Sequence, residues 1–460
     1  MAFLRCNQGK IVPLLILRSR LSEALPNGSL QQRYLEGTFW LTLGTGLSQT
    51  ATFVSMAIAA RLLGSATFGE LGIIQSTLGV FSLFAGMGMG VTSKKYVAEL
   101  RDKDPIRCGQ IIQFSSIVTL IAASGLAAIL IMGAPYLAGR VLNASHLSLA
   151  LRISAGLLLM NALNEAQIGA LSGLEDFKAV CWIYGFRAAL TLVFVVAGAW
   201  LWRLPGMLIG MAGTAFTVWF LTRIVLKHLC RRLGIPVSFG RVPFESQILR
   251  KFTVPAVLSG FLPAIVFWIA RAIIVRYPRG YAELGIFTAA DQWTLVLAFI
   301  PSAMNNVAIP ILSNIYGNND RQHFHMAALK SILAPVCIAI VFACAIALAS
   351  PWIPQIYGES FDGMSKILIL ICLVGVLRVS GGAIGGLMAS LNQMWWGVLF
   401  NMLWGASLII GTLLLADRGA MGLAVAYLIA YLLHSVWGSV FLSTRMQSVK
   451  AHWLGKPARG

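Results

Sequence analysis

Six ionisable side chains lie inside long apolar stretches of this sequence and are the first candidates for chemistry. They are Arg152, Glu165, Arg187, Arg271, Asp291 and Arg378. A charged residue inside a membrane-spanning segment is costly, and such residues are therefore functional candidates by default. All four cations are arginines, whose guanidinium group stays protonated and matches the oxygen atoms of a phosphate. The surplus of arginine over carboxylate indicates an anionic ligand, with phosphate as the best match.

The two carboxylates also suggest structural ion pairs. Glu165 and Arg187 are about equally far from one turn on consecutive helices, and we predict that they form a structural pair. Arg271 and Asp291 flank another turn in the same way, and pairing and exposure to a central cavity both stay open for them. Arg378 has no acidic residue near it in sequence, so a ligand-binding role is best supported there.

Polar residues recur at helical spacing in the first, second and eighth segments. The first carries Thr38, Thr42, Thr45, Gln49 and Thr52, and the eighth carries Asp291, Thr294, Ser302 and Asn305. Steps of three and four residues place each set on one helical face. Hydrogen bonds between helices explain most such stripes, and a water-filled cavity is the alternative. Gln49 and Asn305 therefore join Arg187, Arg271, Asp291 and Arg378 as candidate cavity residues that bind substrate.

The composition identifies the setting of these residues. Only 11% of the residues are charged and 58% are hydrophobic, against about 25% and 45–50% in soluble domains. An all-α polytopic membrane protein follows, because about twenty apolar residues are needed for each crossing. Twelve segments qualify: 38–60, 70–93, 109–132, 147–172, 177–201, 205–228, 252–276, 283–310, 327–350, 364–390, 394–416 and 420–442.

The distribution of basic residues predicts the topology. With the N-terminus inside, 24 Lys and Arg residues fall on the inner side and 7 in outer loops, so we expect both termini in the cytoplasm. The predicted organisation is a basic cytoplasmic leader (1–37), an N-terminal six-helix lobe (38–228), a basic cytoplasmic linker (229–251), a C-terminal six-helix lobe (252–442) and a cytoplasmic tail (443–460).

Two weak internal matches suggest that the lobes are repeats. Glu-Leu-Gly-Ile begins at Glu70 and again at Glu283, 213 positions later, and Leu174 corresponds to Leu391, 217 positions later. A repeat of six spans keeps its orientation in the membrane, so the two lobes are expected to be parallel and to enclose a central cavity.

The sequence Arg61-Leu62-Leu63-Gly64, with Phe68-Gly69 and then Lys95-Tyr96-Val97-Ala98-Glu99, resembles the polysaccharide-export (Wzx-type) flippases. These belong to the multidrug/oligosaccharidyl-lipid/polysaccharide superfamily. The resemblance implies two six-helix lobes around a cationic cavity, alternating access, and a polyprenyl-diphosphate-linked oligosaccharide as cargo. It also implies a bacterial inner membrane and a role in surface polysaccharide export, such as O-antigen, lipopolysaccharide or exopolysaccharide.

The expected function is therefore that of a flippase and not of an enzyme. The alternative within this fold is a cation-coupled multidrug-type antiporter, which the absence of an acidic residue in the first span disfavours. Expected partners are the lipid-linked oligosaccharide, membrane lipids, and polysaccharide polymerase and chain-length proteins, with no nucleic acid. No cofactor or metal is expected, and coupling to H+ or Na+ stays open.

Overall fold

The structure is a computed structural model that describes residues 30–237, 254–317, 321–391 and 394–454. Most of the predicted leader and linker lies outside these described residues. All regular secondary structure within them is helical. Eight helical stretches of this part of the chain are long and apolar enough to cross a membrane. The all-α polytopic class is confirmed, whereas the number of crossings and the division into two lobes stay predictions.

Five α-helices make up the N-terminal half, residues 30–237. They are α1 (Leu30–Gly86), α2 (Met89–Leu100), α3 (Pro105–Tyr136), α4 (Leu147–Gly173) and α5 (Phe177–Arg232), with a π-helical turn at Leu137–Val141 after α3. Two of them bend sharply, α1 at Gly64 (φ 78°, ψ 167°) and α5 at Trp202 and Arg203. Glycine adopts a positive φ without steric cost. Each bend separates two predicted segments. The predicted segment 70–93 is itself interrupted at Met87 and Gly88, where φ is positive, and it ends in α2.

The C-terminal half, residues 254–454, is built from shorter helices. They are α6 (Val254–Ile274), α7 (Gly280–Asp291), α8 (Trp293–Gly317), α9 (Arg321–Ala349), α10 (Ile353–Tyr357), α11 (Met364–Ser390), α12 (Met394–Leu415) and α13 (Gly419–Leu454). The predicted segment 283–310 is interrupted at Gln292, between α7 and α8. The interruption comes directly after Asp291 and is slight, because Gln292 keeps helical backbone angles (φ −57°, ψ −31°).

The two halves pack closely at the end of the molecule that is predicted to face outward. A Cβ atom at Gly69 would overlap the Tyr281 backbone, and one at Gly285 would overlap the Ser65 carbonyl group. The Tyr281 hydroxyl also donates a hydrogen bond of 2.8 Å to the Leu142 carbonyl oxygen. The repeated Glu-Leu-Gly-Ile sequence thus lies in a helix crossing between the halves, where only glycine leaves enough room.

Candidate functional site

One carboxylate lies between two guanidinium groups at the centre of the candidate site. Asp291 ends α7 and pairs with Arg271 of α6 at 3.0 Å (Nη2 to Oδ2). Its other oxygen, Oδ1, lies 3.5 Å from Nη1 of Arg378, which α11 contributes. We call these three residues the charged cluster. It has two positive charges against one negative charge, so a surplus of positive charge remains.

Arg271 also links the two halves of the chain. Its Nη1 donates a 2.6 Å hydrogen bond to Oγ of Ser76 on α1. One helical turn earlier on α6, Nε1 of Trp268 donates a 3.0 Å hydrogen bond to Oγ1 of Thr77. The alternatives left open for Arg271 are therefore resolved in this conformation, because the arginine is paired with Asp291 and also hydrogen-bonded across the interface.

Arg378 lies at the wall of a cavity in the C-terminal half. Its guanidinium carbon is 5.7 Å from the ring centre of Phe267 and 5.9 Å from that of Tyr431. A cation over an aromatic face is attracted by the ring quadrupole. The cavity has a volume of about 370 Å³, and we call it the C-terminal cavity. Its lining is Pro263, Phe267, Arg378, Gly381, Gly382, Ile384, Gly385, Met388, Gly397, Phe400, Asn401, Trp404, Tyr431, His434 and Gly438.

The N-terminal half has a smaller cavity at corresponding positions. It holds about 70 Å³, and we call it the N-terminal cavity. Its lining is Thr52, Met56, Leu157, Asn161, Asn164, Arg187, Thr191, Val195, Met211, Thr214, Ala215 and Val218. Several lining residues of the two cavities are 217 positions apart: Asn161 and Arg378, Asn164 and Gly381, Arg187 and Trp404, and Thr214 and Tyr431. This is the sequence offset that suggested a repeat.

The predicted pair of Glu165 with Arg187 is wrong for this conformation. No ion pair among the described residues joins the two side chains. Glu165 packs instead against Gly86 and Gly90 at the end of α1 and the start of α2, whereas Arg187 lines the N-terminal cavity. Equal distance from a turn gives two residues the same depth, but it does not fix the directions in which they leave their helices.

The remaining candidates, Gln49 and Asn305, form no hydrogen bond with the charged cluster in the part of the chain that the structure describes. Gln49 lines a separate cavity of about 230 Å³ between α1, α8 and α9, where most neighbours are apolar. The amide group of Asn305 lies beside Gly382 and Gly386 of α11. Thr38 and Thr42 line a largely apolar groove of about 750 Å³. The polar face of the first segment therefore borders the apolar groove, the adjoining cavity beside Gln49 and, at Thr52, the N-terminal cavity.

The uncharged walls of the C-terminal cavity were not predicted from the sequence. Trp404, Tyr431, Asn401 and His434 lie on α12 and α13, far from Arg378 in sequence. Single aromatic residues in apolar spans give no separate signal, because most of them are packing residues. The offset of 217 positions is the one signal that could have identified Trp404, because it aligns this residue with the candidate Arg187.

The sequence is similar to proteins of polysaccharide export. It matches the family described as "Polysaccharide biosynthesis protein" over residues 34–316. It is 26% identical to the EPS I polysaccharide export inner membrane protein EpsE of Ralstonia nicotianae, over 73% of this chain and 77% of that protein. It is 22% identical to the probable low-salt glycan biosynthesis flippase Agl15 of Haloferax volcanii, over 89% of this chain and 84% of that protein.

The fold is similar to that of known transporters. A multidrug resistance MATE family transporter of the MOP superfamily, solved in an inward-facing conformation, superposes with a TM-score of 0.71. The superposition covers 89% of this chain and 99% of the transporter, at 16% sequence identity. At this identity, the likeness establishes the fold and not the cargo.

Proposed function

The chain belongs to the polysaccharide biosynthesis protein family, and from this premise we propose that it moves a polyprenyl-diphosphate-linked oligosaccharide from the inner to the outer leaflet of the cytoplasmic membrane. The broader class is established by the similarities above: the protein is a multi-pass inner-membrane transporter or flippase of the MOP superfamily and not an enzyme. The proposal adds the lipid-linked cargo, its use in surface polysaccharide export, and alternating access.

The surplus positive charge of the charged cluster carries this proposal. The negative charge of Asp291 balances one of the two guanidinium charges. One positive charge remains, so Arg271 and Arg378 together can bind an anion. A diphosphate offers oxygen atoms to which guanidinium groups donate charge-assisted hydrogen bonds. Binding it within the protein would keep its charges out of the hydrocarbon, where one Asp or Arg already costs about 2.5–3.5 kcal/mol on insertion scales.

The same cluster argues against the antiporter alternative. Its two arginines repel a cationic cargo, and the one carboxylate of the cluster, Asp291, is held between them. Coupling to H+ or Na+ is a separate part of the proposal, and Glu165 is its candidate carboxylate. The reason is that no ion pair within the described residues neutralises Glu165.

Alternating access is supported by the location of the contacts between the halves. Arg271 holds Ser76 of the opposite half, and Gly69 and Gly285 allow the helices to touch near the predicted outer end. We propose that the outer end is closed in this conformation and that both termini lie in the cytoplasm. Opening of the outer end would break the hydrogen bond from Arg271 to Ser76.

The test is surface polysaccharide production by variants in cells that lack the native gene. Arg271→Ala and Arg378→Ala each leave Asp291 with one arginine, so each variant is expected to accumulate normally. Each removes the surplus charge, and transport should fall on the order of ten- to a hundredfold, because a charge-assisted hydrogen bond contributes about 1.5–3 kcal/mol. Lysine at either position keeps the charge but loses the planar fork, and an intermediate loss is expected.

Arg152→Ala is the matched control, because Arg152 is an exposed arginine in a span that does not belong to the charged cluster. It should leave polysaccharide at the wild-type level. Normal polysaccharide from well-expressed alanine variants at both Arg271 and Arg378 would rule out the cargo role of the cluster.

A further inference from the structure

The walls of the C-terminal cavity have a chemistry that an anion site does not require. Four aromatic residues, Phe267, Phe400, Trp404 and Tyr431, contribute to its lining. The ring of Trp404 lies 5.3 Å from that of Phe267, at 78°, and 5.3 Å from that of Tyr431, at 56°. These rings form a continuous aromatic wall on α6, α12 and α13. The volume of about 370 Å³ falls within the range of about 300–1,000 Å³ for small-ligand pockets.

Polar groups without a partner lie in the same walls. Nε1 of Trp404 and Nδ1 of His434 are buried and form no hydrogen bond within the described part of the chain. Buried polar atoms normally have partners, and an exception needs an explanation. The lining also includes Asn401, whose amide both donates and accepts hydrogen bonds. A ligand rich in hydroxyl groups would supply the partners that these side chains lack.

The position of Arg378 limits what such a ligand is. A guanidinium in the wall repels cationic ligands, although the aromatic rings alone would suit them. Arg378 also connects the cavity to Asp291 and Arg271, so an anionic group near the cluster and a neutral group in the cavity would be adjacent. A sugar ring attached to a phosphate has this arrangement: it has C–H bonds for aromatic faces and hydroxyl groups for Asn401 and His434.

We propose that the C-terminal cavity is the saccharide-binding subsite of this protein and holds a sugar ring of the cargo next to the charged cluster. This proposal rests on the proposed function, since it divides one cargo between two neighbouring sites. Phe267 and Tyr431, which are partly exposed, provide the aromatic faces, and Asn401 provides the directional hydrogen bonds. Trp404 is only 3% exposed and packs against both rings, so it holds these faces in place. Recognition of the sugar is thereby assigned to the C-terminal half.

The test compares the binding of two probes by purified full-length protein in nanodiscs. One probe is undecaprenyl diphosphate, and the other is lipid-linked oligosaccharide extracted from cells that lack this protein. Wild type should bind the sugar-bearing lipid about tenfold more tightly, because aromatic stacking and new hydrogen bonds add to the shared diphosphate contacts. Trp404→Ala and Asn401→Ala should remove most of this difference and leave binding of undecaprenyl diphosphate unchanged.

Two further variants separate recognition from folding. Trp404→Phe retains an aromatic face and should retain part of the preference. Trp395→Ala is the matched control, because Trp395 lies on the same helix and is 84% exposed; it should keep the full preference. Equal affinity of the wild type for both lipids, or a preference that survives in both Trp404→Ala and Asn401→Ala, would overturn the saccharide subsite. Failure of the wild type to bind either lipid would overturn the proposed function as well.

Discussion

The two halves of the chain place different chemistry at equivalent positions. In the N-terminal cavity, Arg187 is surrounded by threonines, asparagines and aliphatic side chains, and none of the described lining residues is aromatic. In the C-terminal cavity, the position equivalent to Arg187 is Trp404, and the arginine has moved to position 378, where the N-terminal half has Asn161. Each half thus keeps one arginine at its cavity, but on a different helix and among different neighbours.

The halves also differ in how they accommodate negative charge. Asp291 contacts two arginines, whereas no described ion pair involves Glu165. The two halves therefore differ in their electrostatics. The C-terminal half has a preorganised cationic cluster beside a cavity of about 370 Å³. In the N-terminal half, Glu165 forms no ion pair among the described residues, and the cavity beside Arg187 holds only about 70 Å³. The contrast suggests that the C-terminal half holds the cargo, and each prediction below compares one position in each half.

The largest effect is expected for the two carboxylates. Asp291→Asn leaves Arg271 and Arg378 without a counter-ion inside the membrane-spanning region. Removing one partner of a buried ion pair costs about 3–5 kcal/mol, and partial exposure of these side chains favours the lower end of that range. Glu165→Gln removes a charge that forms no described ion pair, so it should cost little. The measurement is the melting temperature of each variant in detergent, together with its level in the membrane.

The comparison fails if the two variants lose stability equally, because Glu165 would then have a neutralising partner in the membrane. Asp291→Glu is a useful control, since it retains the charge and should recover part of the stability.

A smaller effect is expected at the repeated Glu-Leu-Gly-Ile sequence, where Gly72 and Gly285 are equivalent. A Cβ atom at Gly285 would overlap the Ser65 carbonyl group, which is backbone and cannot rotate away. A Cβ atom at Gly72 would meet the side chain of Thr288, which can change rotamer. Overpacking costs about 1–3 kcal/mol, so Gly285→Ala should separate the halves at this end, whereas Gly72→Ala should be tolerated.

The reporter for this pair is Ser65→Cys in a background without other cysteines, labelled in intact cells with a membrane-impermeant maleimide. Ser65 is only 7% exposed, so labelling should be slow in the parent and on the order of tenfold or more faster with Gly285→Ala. Equal labelling rates in the two glycine variants would show that the close crossing does not keep the outer end closed.

Much of the fold could be predicted from the sequence, because membrane helices leave a strong local signal. The length of the apolar stretches located the helical segments. Of the six ionisable residues within them, Arg187 and Arg378 line cavities in the structure. The sequence predicted a loop between two helices at Gly64 and at Arg203. In the structure the helix continues on both sides of each position with only a bend, and the sequence does not distinguish such a bend from a loop. The break at Gln292 was also missed, because no glycine or proline marks it.

The partners within the site were harder to predict than its members. The contact between Arg378 and Asp291 joins residues 87 positions apart, and the hydrogen bond from Arg271 to Ser76 joins residues 195 positions apart. Such pairings depend on how helices pack and rotate, which hydrophobic length does not report. The same reason explains why Glu165 and Arg187, close in sequence, do not meet.

The smallest effect is expected for two arginines at the outer end, Arg276 of the C-terminal half and Arg61 of the N-terminal half. Arg276 donates hydrogen bonds across the interface to the carbonyl oxygens of Val141 (3.1 Å) and Arg140 (3.0 Å). These carbonyl groups end a π-helical turn, and a cation there is also favoured by the helix dipole. Arg61 makes no comparable bond among the described residues, and its side chain packs along Gly358. Arg276→Ala should therefore weaken the outer contact by about 1 kcal/mol, or roughly fivefold in the open population, because its donors are solvent-exposed.

Hydrogen–deuterium exchange over residues 137–146 and 276–286 should rise in Arg276→Ala and stay near the wild-type rate in Arg61→Ala. If both variants exchange at the wild-type rate, these hydrogen bonds do not contribute to closure, and the aromatic and glycine contacts alone hold the outer end together.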